Sequence, residues 1–258
     1  LPDAFYLPLG DGRFQPTEHT AGPWTPEAQH FGPPSALLVH ALEQVPAQRE
    51  TQLARVTVEI LGPAPLTELR TRARLERPGR SVELLTAELA SGERTVARAT
   101  AWRIATSDTS EIVAGAAAAL PSPEDAPPAG WPEGWSGGYL HAMEWRAVAG
   151  GLDVPGAATV WARQHVALVD GEKPSALQRL FTVADSGNGV SNRLDPRRWW
   201  FINSELTVHV QRPPEGDWIG LDATTILGPH GIGTATSTLH DTGGQVGIGA
   251  QALLVRPR

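Results

Sequence analysis

The 258-residue chain has no cysteine, a single methionine and no excess of basic residues. Without cysteine there is no disulfide, no thiolate metal site and no thiol nucleophile, and the redox compartment is left unmarked. Lys and Arg total 21 against 28 Asp and Glu, a net charge of −7. Binding to a phosphate backbone needs the opposite sign, so nucleic acid and an anionic membrane surface are disfavoured as partners. No run of about 18 uninterrupted apolar residues occurs, so no helical membrane span is expected. Leu1-Pro2-Asp3 opens the chain with neither an initiator Met nor an apolar signal core, and a cytoplasmic location is the default expectation. The eight histidines show no H-E-x-x-H or other compact ligand spacing, and no strand, G-x-G-x-x-G and helix follow one another. Neither a metal nor a dinucleotide cofactor is therefore expected.

What is present is apolar material in a repeating order. Hydrophobic residues make up 41% of the chain, enough for one large core or two small ones. The 27 glycines and 23 prolines exceed average usage of roughly 7% and 5%, and the prolines sit at the ends of alternating segments. Residues 51–61, 66–77, 81–90 and 94–105 alternate apolar and polar with period two, as half-buried antiparallel strands do. The connectors between them are turn-sized, which predicts a four-stranded meander. Before it, Pro33-Pro34-Ser35 opens a run in which Leu37, Leu38, Ala41, Leu42 and Val45 recur at three and four, predicting one amphipathic helix that ends at Pro46.

Residues 106–137, rich in Ala, Pro, Ser and Gly, carry no period and are read as a linker. Beyond them the order returns. Strand-like segments at 139–149 and 157–168 precede a helix from Pro174, and strands follow at 198–211, 217–227, 232–240 and 246–256. Pro34-Ser35-Ala36-Leu37 recurs as Pro174-Ser175-Ala176-Leu177, and Val56-Thr57-Val58-Glu59-Ile60 as Leu206-Thr207-Val208-His209-Val210. The chain is read as a duplication: an N-terminal unit over 1–105, the linker, and a C-terminal unit over 138–258. The expected class is α+β, a tandem hot dog of two antiparallel sheets, each wrapped around a central helix, with edge-to-edge pairing closing the open edges.

His30-Phe31-Gly32-Pro33-Pro34-Ser35-Ala36-Leu37-Leu38, the stretch from Trp200 to Val210, and Gly249-Ala250-Gln251-Ala252-Leu253-Leu254-Val255-Arg256 together resemble the double-hot-dog acyl-CoA thioesterases of the type II, thioesterase-like superfamily. The resemblance covers nearly the whole chain. It implies hydrolysis of acyl-CoA to acid and CoA, with further pairing into a homo-oligomer and no cofactor, CoA being part of the substrate. In that family an Asp on the second helix, a Ser or Thr on the next strand and a Gln on the last strand position and activate a water. Carried onto this sequence, these are Asp185, Asn203 and Gln251, with Asn203 departing from the hydroxyl pattern. Thr207 is a substitute hydroxyl nearby; Gly32, Thr207 and His209 are the accompanying substrate-binding candidates.

The repeat supplies an independent argument for the site. At an offset of 150 Asn203 and Gln251 correspond to Leu53 and Ala101, and at the helix offset of 140 Asp185 corresponds to Val45. The first copy is apolar at all three positions, so the polar groups are not needed for folding. A thioester also suits so sparse a site, because its leaving thiol ionises near pH 8.5 and needs little help from an acid. The Asn203 departure motivates an alternative, a non-catalytic acyl-CoA or acyl-carrier binding protein of the same fold. A hydratase reading finds no His beside Asp185. Gly134-Trp135-Ser136-Gly137-Gly138 matches a G-x-S-x-G elbow in spelling, but it follows no buried strand and is read as a flexible joint. His30 is read as an entry-loop residue set ahead of the first helix. The tryptophans, Trp135, Trp145 and Trp200 among them, are read chiefly as core, though such rings also suit an acyl chain or an adenine.

Overall fold

The computed structural model describes residues 3–23, 25 and 27–258; Leu1 and Pro2, on which the expectation about the chain start falls, lie outside the described residues. A hairpin, β1 (Ala4–Gly10) and β2 (Arg13–Pro16), precedes helix α1 (Gly32–Glu43). Strands β3 (Thr51–Ile60), β4 (Leu69–Arg77), β5 (Val82–Ser91) and β6 (Arg94–Ala105) follow. After the extended segment come a short helix α2 (Gly138–His141) and strands β7 (Met143–Gly151), β8 (Val154–Gln164) and β9 (Ala167–Val169). Helices α3 (Ala176–Ala184) and α4 (Gly187–Val190) lead into β10 (Trp199–Asn203), β11 (Glu205–Val210), β12 (Ile219–Leu227), β13 (Ile232–Asp241) and β14 (Gly244–Pro257).

The expected pair of sheets is corrected to one. All 14 strands of the described residues belong to a single sheet running β7-β8-β12-β13-β14-β11-β3-β6-β5-β4-β2-β1-β9, with β10 also on β14. The join is the antiparallel pair β11–β3, which would otherwise be an open edge on each half. Its register sets Thr57 opposite Thr207, the two hydroxyls 3.1 Å apart, so residues 150 apart in the chain meet at the approximate twofold axis. The expected meander is corrected too. β4, β5 and β6 are consecutive neighbours, but β3 pairs with β6, because Leu61 to Glu68 is long enough to carry the chain across. The hairpin β1–β2 was not read from the sequence, although Asp11-Gly12 between apolar-containing strands is its signal.

Helix α1 is not amphipathic as expected but buried almost all round. Ala36, Leu37, Leu38, Val39 and Leu42 have no accessible surface. One side faces β4 and β5 and another faces α3, so no stripe is left for water. Helix α3 begins with a capping box, Ser175 accepting from the Gln178 N–H and the Gln178 side chain accepting from the Ser175 N–H. Glu43 at the end of α1 accepts from both Ser175 Oγ and Gln178 Nε2, which ties the two helices together. The segment read as a linker lies against the second half. Trp161 Nε1 donates to the Pro121 carbonyl at 2.9 Å, and Leu120 and Ala126 pack with Trp161 and Trp218.

The end of α1 depends on one buried cation. Arg103, 5% exposed on β6, donates to the Val45 carbonyl at 2.6 Å, the Pro46 carbonyl at 2.9 Å and Glu83 at 2.8 Å. Removing it strands two carbonyls and a half-buried carboxylate. Arg103→Met is expected to cost about 3–5 kcal/mol, read as a lower urea midpoint; an unchanged midpoint contradicts this account.

Candidate active site

Asp185 is the C-cap residue of α3 and is 3% exposed. Its Oδ1 accepts from Asn203 Nδ2 at 2.8 Å. Gln251, 2% exposed, donates through Nε2 to the Asp185 backbone carbonyl at 2.9 Å and accepts the Asn188 N–H on Oε1 at 2.9 Å. The structure therefore brings the three expected residues together. Gln251 does so by pinning the turn between α3 and α4 and by approaching Asp185 Oδ1 through Nε2 at 3.5 Å, while Asp185 and Asn203 line a cavity of about 460 Å³. Burial lifts the Asp185 carboxyl from its ordinary 3.8 to about 6, with the hydrogen bonds from Asn203 and Gln251 acting in the opposite direction.

Asn203 reaches Asp185 because the strand breaks beside it. Asn203 pairs with Leu253 in β10, whereas Thr207 pairs with Ala250 in β11, so one extra residue is inserted around Ser204. The bulge reverses the alternation. Phe201 is buried before it, and Leu206, Val208 and Val210 are buried after it. His209, six residues after Asn203, therefore points to the opposite face. The structure places His209 on the exposed outer face opposite Arg55 and Ile248, and Thr207 at the β11–β3 seam, donating to Glu205 at 2.9 Å. Neither lines the cavity. At the equivalent positions of the first half, Leu53 and Ala101 are buried in the core and Val45 packs against it.

Gly32 opens α1, buried and one residue beyond the cavity lining. A Cβ there would stand 2.2 Å from the Thr182 carbonyl oxygen, so glycine is what allows α1 to pass this close to α3. Its N–H donates to His30 Nδ1 at 3.0 Å. His30 lines the cavity and stacks on Tyr139, ring centroids 3.8 Å apart and 3° from parallel. Tyr139 OH donates to the Thr182 carbonyl at 2.8 Å and accepts from Ser186 Oγ at 2.9 Å, and burial raises its pKa. Burial also lowers His30 to about 3, so the 3.7 Å approach of its Nδ1 to Asp185 Oδ2 is between a neutral ring and a carboxyl. Tyr139 escaped the sequence reading, which expected strand at 139; the helix-start signal there is only the pair Gly137-Gly138.

The remaining wall is apolar and comes from both halves. Ile60 and Leu61 of the first half face Leu140, Trp145, Leu152 and Trp200 of the second. Ser136 is exposed in the loop before α2 and is absent from the lining. Among the described residues no three His, Asp or Glu side chains converge as metal ligands, and no helix is long and apolar enough to cross a membrane.

Residues 123–255 match the acyl-CoA thioesterase C-terminal domain and residues 20–104 the acyl-CoA thioesterase N-terminal domain. No curated protein matches the chain. Among solved structures, a conserved protein of unknown function with a hot-dog fold from Alicyclobacillus acidocaldarius superposes with a TM-score of 0.76 at 18% identity, over 98% of this chain and 97% of that one. The tesB protein of Mycobacterium avium subsp. paratuberculosis gives 0.70 at 14%, over 98% and 96%. An acyl-CoA thioesterase II, TesB2, from Mycobacterium marinum gives 0.68 at 14%, over 99% and 96%. At these identities the structures speak to the fold alone. The two domain matches, in the order the duplication requires, show that this chain belongs to the acyl-CoA thioesterase family and is a thioester hydrolase of the double hot-dog type.

Proposed function

We propose that the chain hydrolyses acyl-CoA thioesters to free acid and CoA, with Asp185 as the general base for the attacking water. The observation that carries this is a buried carboxyl at the wall of an apolar cavity, held by an amide N–H and lifted to about 6. At neutral pH such a group is ionised yet basic enough to take a proton from water. Asn203 performs the orienting task of a hydroxyl, because its Nδ2–H fixes Oδ1 and leaves Oδ2, 3.7 Å from His30 Nδ1, to accept from a water. Gln251 is a positioning residue that holds the backbone carrying the base. The wall formed by Leu140, Trp145 and Leu152 suits an apolar acyl group.

The test is thiol release from a panel of acyl-CoAs, short to long and branched to aromatic. The proposal expects turnover well above background for at least one apolar acyl group. Tight acyl-CoA binding with no turnover for any member contradicts it and makes the chain a binding protein of the same fold.

A further inference from the structure

The hydrolytic reading names a base but no donor for the thioester carbonyl. A helix N-terminus commonly supplies one, through N–H groups without intrahelical partners. At α1 that supply is removed: Pro33 and Pro34 have no N–H, and the Gly32 N–H is committed to His30 Nδ1 at 3.0 Å. The same hydrogen bond determines the tautomer. An Nδ1 that accepts must be unprotonated, so the neutral ring carries its proton on Nε2. The side chain is 13% accessible and lines the cavity, and no described residue accepts from Nε2. That N–H therefore keeps accessible surface, and the space that the His30 side chain lines is the cavity.

The ring is also held between its neighbours and close to the base. Its stack on Tyr139 sets the plane, and Tyr139 is anchored through Thr182 and Ser186 to the end of α3 that carries Asp185. Asp185 Oδ2 stands 3.7 Å from Nδ1, and His30 and Asp185 both line the cavity. We infer that His30 is a catalytic hydrogen-bond donor, its Nε2–H meeting the carbonyl oxygen of the acyl-CoA thioester and the oxyanion that forms there. The inference rests on the hydrolase reading above. As the water oxygen bonds to the carbonyl carbon, the water proton passes to Asp185 and the carbonyl electron pair moves onto oxygen, facing Nε2–H. Collapse of that adduct breaks the C–S bond, and CoA leaves as a thiolate that takes up the proton. His30 keeps its own proton throughout, as a neutral imidazole donor does. The Gly32 N–H behind it polarises the ring in the required direction. One half of the duplicated chain thereby supplies the donor and the other the base.

The test compares three variants with wild type and Asp185→Asn on the best acyl-CoA of the panel. His30→Phe keeps the stack on Tyr139 and loses both nitrogens. His30→Asn retains an acceptor for Gly32 but no donor at the Nε2 position, whereas His30→Gln restores a donor there. His30→Phe and His30→Asn are expected to lose about 10²–10³ in kcat with KM changed only a few-fold, and His30→Gln to recover most of it. The acid limb of kcat/KM stays near pH 6 in every active variant, because a neutral ring adds no charge beside Asp185. The inference is overturned if folded His30→Phe keeps kcat within threefold. It is equally overturned if His30→Asn rescues and His30→Gln does not, or if the acid limb moves up by a pH unit, which would mark His30 as a cation. If wild type hydrolyses no acyl-CoA at all, the hydrolase reading falls first and this inference falls with it; loss confined to the His30 comparison leaves that reading intact.

Discussion

Asp185→Asn is expected to lower kcat for acyl-CoA hydrolysis by about 10²–10⁴-fold while making the protein more stable at pH 8. The two effects have one origin. The carboxyl is 3% exposed at the C-terminal end of α3, where helix carbonyls point, and both conditions disfavour its charge. Its pKa in the folded protein is about 6 against an ordinary 3.8, so folding favours the protonated form. The contribution of that preference is fully present below about pH 3.8 and is lost as the pH rises through about 6. Above it, the buried charge costs on the order of 3 kcal/mol. Asn is neutral at every pH and can still accept from Asn203, so the gain in melting temperature should be large at pH 8 and small at pH 4. In wild type, kcat/KM should rise through an apparent pKa near 6 and then level off. Equal melting shifts at the two pH values, or an active Asp185→Asn, would contradict the assignment of the buried base.

Gly32→Ala is expected to damage both the fold and the site, although it adds one methyl group. The added Cβ would stand 2.2 Å from the Thr182 carbonyl oxygen, which also accepts from Tyr139, so neither side of the contact can yield cheaply. Overpacking of this kind costs about 1–3 kcal/mol, seen as a lower urea midpoint. The backbone shift that relieves it would separate His30, two residues before Gly32, from Asp185, three residues after Thr182. A displacement of that size at reacting groups costs on the order of 10²-fold in kcat. Gly189→Ala is the control for stability, because a Cβ there meets nothing within 4 Å. If Gly32→Ala matches wild type in midpoint and rate, the close approach of α1 and α3 has no part in holding the site.

The duplication was legible because it repeats local signals: Pro-Ser-Ala-Leu at the start of each central helix and alternating Val and Thr at each seam strand. The meeting of Asp185, Asn203 and Gln251 followed from the family resemblance and from the apolar residues at the matching positions of the first copy. What escaped the sequence was what depends on parity and on tertiary cover. A single inserted residue around Ser204 turns Asn203 inward and Thr207 and His209 away, and nothing in the residue types there announces a bulge. Helix α1 spells an amphipathic pattern, yet α3 covers the face that water was expected to take. Edge-to-edge pairing of the two copies was expected, but that β11 and β3 are the strands that join, pairing residues 150 apart, lies beyond any local signal.

The central claim is that Asp185 activates water and does not itself attack the acyl group. Its most direct test is a single turnover in H₂¹⁸O, with enzyme in excess over the best acyl-CoA of the panel, followed by mass analysis of the acid and of the peptide containing Asp185. Direct attack by water predicts one ¹⁸O in the acid formed in the first turnover and none in Asp185. Unlabelled acid in the first turnover, with ¹⁸O in the Asp185 carboxyl, would mean that the carboxylate is the nucleophile and would contradict the account.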